Sequence, residues 1–297
     1  MRSFLRIVFF TTLFLSVYDK TQAQQQIENS MSHYFRNRML WNAGFTGIDG
    51  SKLYVMQNRS WVGFEGAPVT TNISGETNFG LNSSVGLHVT ADLTGIINRT
   101  QAILNYAYRV NFDESHELRV GVALAIAGDR INNKYLEQGG TADILLLNSI
   151  NAKTQYDGNL GLVYINNKLN IGISFYRLRE NLKSGNIFTA NLAIAQFGGT
   201  YDLYFNENED LNFKPLVLVK FFRNSSPVLD LGAQFEYNKK LSAMLIYQSV
   251  GNIRAGAGIT IKGLGEANFF YNTNIRIANA ASQQYEIGLG FHLKGKE

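Results

Sequence analysis

Four histidines and no cysteine bound the chemistry available to this 297-residue chain. His33, His88, His116 and His292 do not fall within metal-ligand spacing of one another, and no HExxH-type stretch exists. They read as turn or lumen-facing residues, and no metal ligand is expected. Gly256-Ala257-Gly258 has a glycine pair but neither a third glycine nor a following helix, so it is not a dinucleotide loop. No GxSxG elbow is present. Asp230 and Glu236 share one face of a candidate strand, but at about 3.3 Å per residue they stand roughly 20 Å apart. That is too far for joint acid–base work. Lumen hydration, or an ion pair with Arg254 on a nearby strand, suits them better. Without cysteine, disulfides, thiolate metal sites, a cysteine nucleophile and a lipid-modified N-terminal cysteine are all excluded. The chain reads as a non-enzymatic protein with no cofactor.

The elements that would position these side chains are β-strands. Charged residues make up only 17% of the chain and hydrophobic ones 45%, with 28 Gly, 20 Phe, 15 Tyr and 3 Pro. Gly turns and aromatic strand residues suit an all-β protein. A mean hydropathy of -0.10 excludes a bundle of hydrophobic helices. The net charge of +4 is spread thinly, with no Lys/Arg run that would give a nucleic-acid footprint.

The N terminus has the form of a secretory signal peptide. Arg2 and Arg6 precede the apolar Ile7–Val17 stretch, and Thr21-Gln22-Ala23 supplies small residues before a cleavage point. A membrane anchor is the weaker alternative, because the apolar core is about 11 residues and a span needs about 20. The expected organisation is a signal peptide at 1–23, a periplasmic or barrel-associated segment at 24–50, and an outer-membrane β-barrel at 51–297.

From about residue 50 a two-residue period dominates. Between Arg99 and Phe112, Ala102, Leu104, Tyr106, Tyr108 and Val110 alternate with Gln101, Ile103, Asn105, Ala107 and Arg109. Tyr285, Ile287, Leu289 and Phe291 alternate with Glu286, Gly288, Gly290 and His292. Such segments number about 14, near 51–59, 69–78, 83–91, 99–111, 116–129, 156–166, 168–178, 195–206, 211–223, 226–237, 240–250, 252–262, 264–276 and 283–293. Every second connection is short. The others include the long ones: Ser60–Pro68, Asp92–Asn98, Arg130–Gln155 and Leu178–Ile194. Short turns at one end and longer loops at the other are the topology of an outer-membrane barrel, with the short turns periplasmic. A soluble antiparallel sandwich also alternates, but its strands average about 5–6 residues, against about 9–11 for a tilted membrane strand. The predicted fold is therefore an antiparallel transmembrane β-barrel in contact with outer-membrane lipid. The Arg130–Gln155 loop, with its apolar run Ile144–Leu147, reads as a lid over the barrel or as a partner surface.

The stretch Asn58 to Pro68 (NRSWVGFEGAP) gathers one of two tryptophans and one of three prolines into a glycine-rich loop. Asn58-Arg59-x-Trp61-Val62-Gly63-Phe64-x-Gly66-Ala67-Pro68 resembles the signature of the PorP/SprF family, found with the type IX secretion system of Bacteroidetes. Trp41-Asn42-Ala43-Gly44-Phe45-Thr46-Gly47 resembles that family's early Asn-Pro-Ala-Tyr-Ala-Gly segment, with Ala43 in place of proline and Gly44 and Thr46 in place of alanines. Ser32-His33-Tyr34-Phe35 is similar to the segment upstream of it. The specific resemblance covers about residues 30–112.

The resemblance implies an outer-membrane barrel of type IX secretion or gliding. Its partners would be periplasmic and outer-membrane components of that machinery, with secreted adhesins as cargo, and it carries over no catalytic residue. The alternative function is an outer-membrane channel for a small solute. Within the signature loop, Trp61 and Phe64 are expected either as rim anchors at the membrane interface or, preferably, tucked inward against the wall. Pro68 is expected at the first residue of a strand.

Overall fold

The computed structural model describes residues 32–64, 66–95, 97–131, 154–182, 193–205, 210–223, 225–276 and 283–293. The expected signal peptide, and all but the ends of the Arg130–Gln155 stretch, lie outside the described residues.

Alternation becomes architecture most plainly in β5 (His116–Ile131). Val122, Leu124 and Ile126 are exposed, Leu124 by 71%, while Ala123, Ala125 and Ala127 between them are buried. The same inversion runs round the molecule. In β15 (Gln284–His292), Ile287, Leu289 and Phe291 are exposed and Glu286 is fully buried. In β11 (Val228–Tyr237), Leu231 and Phe235 are exposed and Asp230 and Gln234 are buried. Large apolar side chains outside and polar or charged ones inside are the reverse of a soluble sandwich. Lipid is the solvent that accepts that outer face.

The remaining strands are β1 (Lys52–Ser60), β2 (Val69–Phe79), β3 (Ser83–Thr94), β4 (Ile97–Asn111), β6 (Gln155–Asn166), β7 (Leu169–Phe175), β8 (Ala193–Tyr201), β9 (Leu203–Tyr204), β10 (Leu211–Phe222), β12 (Leu241–Gln248), β13 (Asn252–Ile261) and β14 (Gly265–Asn274). β8 and the two-residue β9 both bond to β10 and form one stave interrupted at Asp202, so the wall has 14 staves. β15 closes on β1 in antiparallel register from Lys52↔His292 to Ser60↔Gln284. Closure leaves no unpaired edge, as a hydrocarbon surround demands. Among the described residues, no helix is long and apolar enough to cross a membrane.

One end of the barrel carries short connections, including 80–82, 167–168, 238–240 and 262–264. At 238–240 the turn is made by Asn238 and Lys239, both with positive φ (53° and 54°), which matches the twist of the flanking strands. The opposite end carries 61–68, 132–154 and 176–192.

Two expectations are corrected. Asp92–Asn98 is not a loop, because β3 runs to Thr94 and β4 starts at Ile97. Gly95, at φ 57°, permits the tight reversal. The strand expected over 168–178 stops at Phe175, because Arg177 adopts φ 51° and the chain enters a short helix, α1 (Leu178–Leu182).

Residues 32–50 do not join the wall. They run through the lumen as an irregular chain with two 3-10 turns, Arg38–Leu40 and Ala43–Phe45. Tyr34, Trp41 and Phe45 of this segment pack against Val163, Leu216, Leu218 and Ile246 of the wall to form the barrel's apolar core.

Candidate functional site

The lumen segment and its seat form an extended polar site among the described residues. The seat begins near the long-loop end. The backbone N–H of Ser32 donates to Glu286 Oε1 at 2.7 Å and its hydroxyl donates to Oε2 at 3.1 Å. His33 Nε2 lies 2.8 Å from Glu286 Oε1, and Tyr54 OH is 2.5 Å from His33 Nδ1. Asn58, on β1, donates from Nδ2 to Glu286 Oε2 at 3.1 Å. One fully buried carboxylate therefore holds two consecutive plug residues. A buried carboxylate must be bonded on most of its lone pairs to be tolerated.

Next along the segment, Tyr34 OH donates to Asp230 Oδ2 at 3.0 Å and accepts from Lys220 Nζ at 2.6 Å. Lys220 lies 3.3 Å from Asp230, which also accepts from Gln248 at 2.8 Å. Arg36 reaches Glu266 at 3.2 Å and Glu236 at 3.6 Å, and Lys52 meets Glu266 at 2.6 Å. Asp230 and Glu236, too far apart for joint catalysis, thus serve Tyr34 and Arg36, two residues apart in the plug. Breaking one partner of a buried pair costs about 3–5 kcal/mol, so the contacts of Tyr34 and Arg36 with the wall resist withdrawal of the segment.

The Trp41–Gly47 turn sits on a lane of wall glycines. Asn42 Oδ1 accepts from the Gly44 N–H at 2.8 Å, and Asn42 Nδ2 donates to the wall carbonyls of Leu162 (3.2 Å) and Ile173 (3.1 Å). Close approach requires walls without side chains. A Cβ at Gly161 would stand 2.1 Å from Asn42 Oδ1, and one at Gly121 would stand 2.2 Å from the Ala43 carbonyl carbon and the Gly44 nitrogen. Gly86 likewise makes room for Met39, and Gly288 for His33 and Tyr54. Arg119 closes the turn: Nε donates to Gly44 O at 2.9 Å and a terminal nitrogen to Thr46 O at 2.5 Å. The Gly47 N–H donates to Glu76 at 2.6 Å.

Beyond the turn, at the short-turn end, Arg38 holds Asp49 at 2.5 Å. Burial alone would raise the Asp49 carboxyl, but Arg38 and Lys52 outweigh it and hold it down at about 2.

Signature residues divide between this seat and the rim. Asn58 is buried and braces Glu286, whereas Arg59 on the same strand faces outward. Beyond β1, Trp61 (φ 51°), Gly63 (φ 100°) and Gly66 (φ 73°) fold the loop through successive turns. The loop is laced to both neighbours: Trp61 N–H donates to Gln283 O at 2.9 Å, and Gly95 N–H donates to Gly66 O at 3.2 Å. Ala67 N–H donates to Phe64 O at 3.3 Å, and Pro68 O accepts from Ser60 N–H at 3.0 Å.

The expected inward tuck of Trp61 and Phe64 is not what forms: their exposures are 36% and 54%. Both rings stand at the surface of a loop held by backbone hydrogen bonds. Pro68 is buried and immediately precedes β2 instead of starting it. Asn42, Arg119, Glu286 and the lumen-facing glycines were not singled out as site residues. The Trp41–Gly47 and Ser32–Phe35 motifs were the signal that could have led to them.

The histidines serve separate tasks. His88 lies on the lumen face 3.4 Å from Asn105. His116, at the short-turn end, is held between Asp113 (2.8 Å) and Asn166 (2.8 Å). There the Asp113 carboxyl is lowered by the Ser115 backbone N–H and by the His116 ring.

Among the described residues, cavities lie at either end of the plug. One, of about 300 Å³, is lined by Trp41 and Asn42 of the plug and by Thr70, Asp92 and Arg99 near the long-loop end. The other, of about 540 Å³, is lined by Arg38, His116, Asp202 and Lys214 at the short-turn end.

Comparison with known proteins agrees with this architecture. The Acinetobacter baumannii outer membrane protein Omp33 superposes with a TM-score of 0.51 at 7% identity, covering 82% of this chain and 98% of that one. The Ralstonia pickettii toluene transporter TbuX gives a TM-score of 0.48 at 12% identity, over 86% of this chain and 93% of that one. At 7% identity the likeness to Omp33 is one of fold alone. No curated protein matches the chain. A family model described as type IX secretion system membrane protein PorP/SprF matches residues 22–291. The chain belongs to the PorP/SprF family of type IX secretion system membrane proteins.

Proposed function

We propose that this protein is a plugged, non-enzymatic scaffold barrel of the type IX secretion machinery in the bacterial outer membrane. In this reading the short-turn end faces the periplasm and engages other components of the machine. The long-loop end faces outward and aids export or attachment of surface adhesins. The observation that carries the reading is the occupancy of the lumen by residues 32–50, pinned through buried Glu286, Asp230 and Glu266. A barrel filled in this way is suited to hold partners, not to pass solute.

Of the signature residues, Asn58 has a structural role beneath the plug. Trp61, Phe64 and the Gly63–Pro68 turn supply an aromatic rim contact at the membrane interface, where such rings concentrate. Deletion of the gene, followed by proteomics of the medium and the cell surface, tests the reading. Loss of a subset of secreted or surface adhesins is expected, and an unchanged surface proteome would refute it.

A channel for a small solute is the second reading, favoured by the cavities on either side of the plug. It requires the plug to move, and predicts solute uptake that depends on the gene.

A further inference from the structure

The cavity near the long-loop end is lined by charges that balance. Arg99 pairs with Asp129 at 3.8 Å, and Lys220 with Asp230 at 3.3 Å. Arg177, bonded to the Ala193 carbonyl at 3.3 Å, and Asp92, which accepts from Thr70 and Thr94, add one charge of each sign. Among the described residues, the lining therefore selects neither an anion nor a cation. At about 300 Å³ the cavity has room for about ten waters' share of liquid volume, the low end for small-molecule sites.

What the lining has to spare is neutral hydrogen-bonding capacity, gathered on β3 and β4. Gln101 stands opposite Thr90 and Ile103 opposite His88, so Thr90, Gln101, His88 and Asn105 form one patch of the wall. Among the described residues, the Gln101 amide makes no hydrogen bond. His88 and Asn105, both more than nine-tenths buried, share a single long contact of 3.4 Å, which leaves His88 Nε2 and the Asn105 oxygen open. Asn159, also in the lining, accepts the Arg177 N–H at 3.0 Å, and its amide N–H groups are open in the same sense. An amide both donates and accepts, as a hydroxyl does, so this lining suits a ligand rich in hydroxyls. Gln101 and Asn105 stand about 13 Å apart along β4, enough for one sugar ring between two inward-reaching amides. The plug supplies an apolar floor, Leu40 and Trp41. Trp41 is fixed there, because its carbonyl accepts from Ser174 at 3.0 Å, from Tyr176 and from Gln196. An indole presents a broad apolar surface that the C–H face of a sugar ring can cover.

We propose that this cavity binds a neutral sugar, either a free monosaccharide or the end unit of a glycan chain. Gln101, His88 and Asn105 bond its hydroxyls, and its C–H face lies on Trp41 and Leu40. The inference stands apart from the scaffold reading, since a barrel can bind a sugar whether or not it serves secretion.

The chain has two tryptophans, so Trp61→Phe leaves Trp41 as the sole indole, in the cavity wall. This protein, in micelles of a detergent without a sugar headgroup, would be titrated with glucose, galactose, N-acetylglucosamine and maltotriose. Cyclohexanol and succinate serve as controls. A saturable change in Trp41 emission is expected with at least one sugar. Cyclohexanol keeps a six-membered ring but only one hydroxyl, and it should bind about tenfold or more weakly than that sugar, as should succinate. Gln101→Ala removes an amide that makes no hydrogen bond in the fold. It should weaken sugar binding about threefold or more while leaving the heat-modifiable gel shift unchanged. Response to a monosaccharide assigns a free sugar, and response to maltotriose alone assigns a chain end. The proposal is overturned by no saturable response to any of the four sugars, by a control that binds as tightly as the best sugar, or by unchanged sugar affinity in Gln101→Ala.

Discussion

Gly121 and Gly128 lie on the same strand, and adding one methyl to each separates the plug's seat from the wall's general stability. A Cβ at Gly121 would stand 2.2 Å from the Ala43 carbonyl carbon and from the Gly44 nitrogen, both backbone atoms of the plug. Carbon contacts settle near 3.5–4.0 Å, so plug or strand must retreat by more than about 1 Å. That displacement carries the 2.9 Å bond from Arg119 to Gly44 O out of hydrogen-bond range. Overpacking of roughly 1–3 kcal/mol, with a lost charged hydrogen bond of about 1.5–3 kcal/mol, makes the seated plug a few kcal/mol less favourable. At Gly128 nothing lies within 4 Å of the added methyl, and the same substitution is a control for strand propensity.

The assay reads Trp41 in the Trp61→Phe background, by acrylamide quenching and by emission wavelength. Gly121→Ala should raise quenching and shift emission to the red, while Gly128→Ala should match the parent. Equal behaviour of the two variants would show that the glycine lane does not seat the plug.

Further outcomes follow from the same contacts. Glu286→Ala leaves His33, Ser32 and Asn58 without their shared acceptor and should destabilise the folded barrel by about 3–5 kcal/mol, read as a lower midpoint of the heat-modifiable gel shift. Asp49 is held from 3.8 down to about 2, so its contribution to stability is complete above its ordinary value and is lost as pH falls through about 2. Trp41 quenching should rise over that window, and Asp49→Asn should remove that part of the pH dependence. Trp61→Ala should leave barrel assembly intact, because the ring is exposed and the loop is held by backbone bonds. A block in secretion by that variant would identify the rim as a direct partner contact.

The wall was legible in the sequence because a strand's period is two and its signal is local. Leu104, Tyr106 and Tyr108 alternate with Asn105 and Ala107 whether or not the rest of the barrel is known. The direction of the faces was not in the period itself. It rests on strand length and on the unequal connections, and the exposure of Leu124 and Ile287 decides it. The plug was hidden for the opposite reason. Residues 32–50 form no long regular element and so have no period, and the contact from Ser32 to Glu286 spans 254 positions. Motif resemblance at Trp41–Gly47 marked the segment, but only the assembled lumen explains why a small residue stands at Gly44 and why Asn42 meets two wall carbonyls. The exposure of Trp61 and Phe64 was not legible, because the loop's path runs through positive-φ turns at Trp61 and Gly63 that no local period encodes.

Conductance across a planar bilayer tests the central claim of a filled, load-holding barrel most directly. Purified full-length protein should insert, as judged by its heat-modifiable shift in the same lipid, and show no steady step conductance. Stable open steps of the size expected for an empty 14-stave barrel, from protein with Trp41 still buried, would contradict the account.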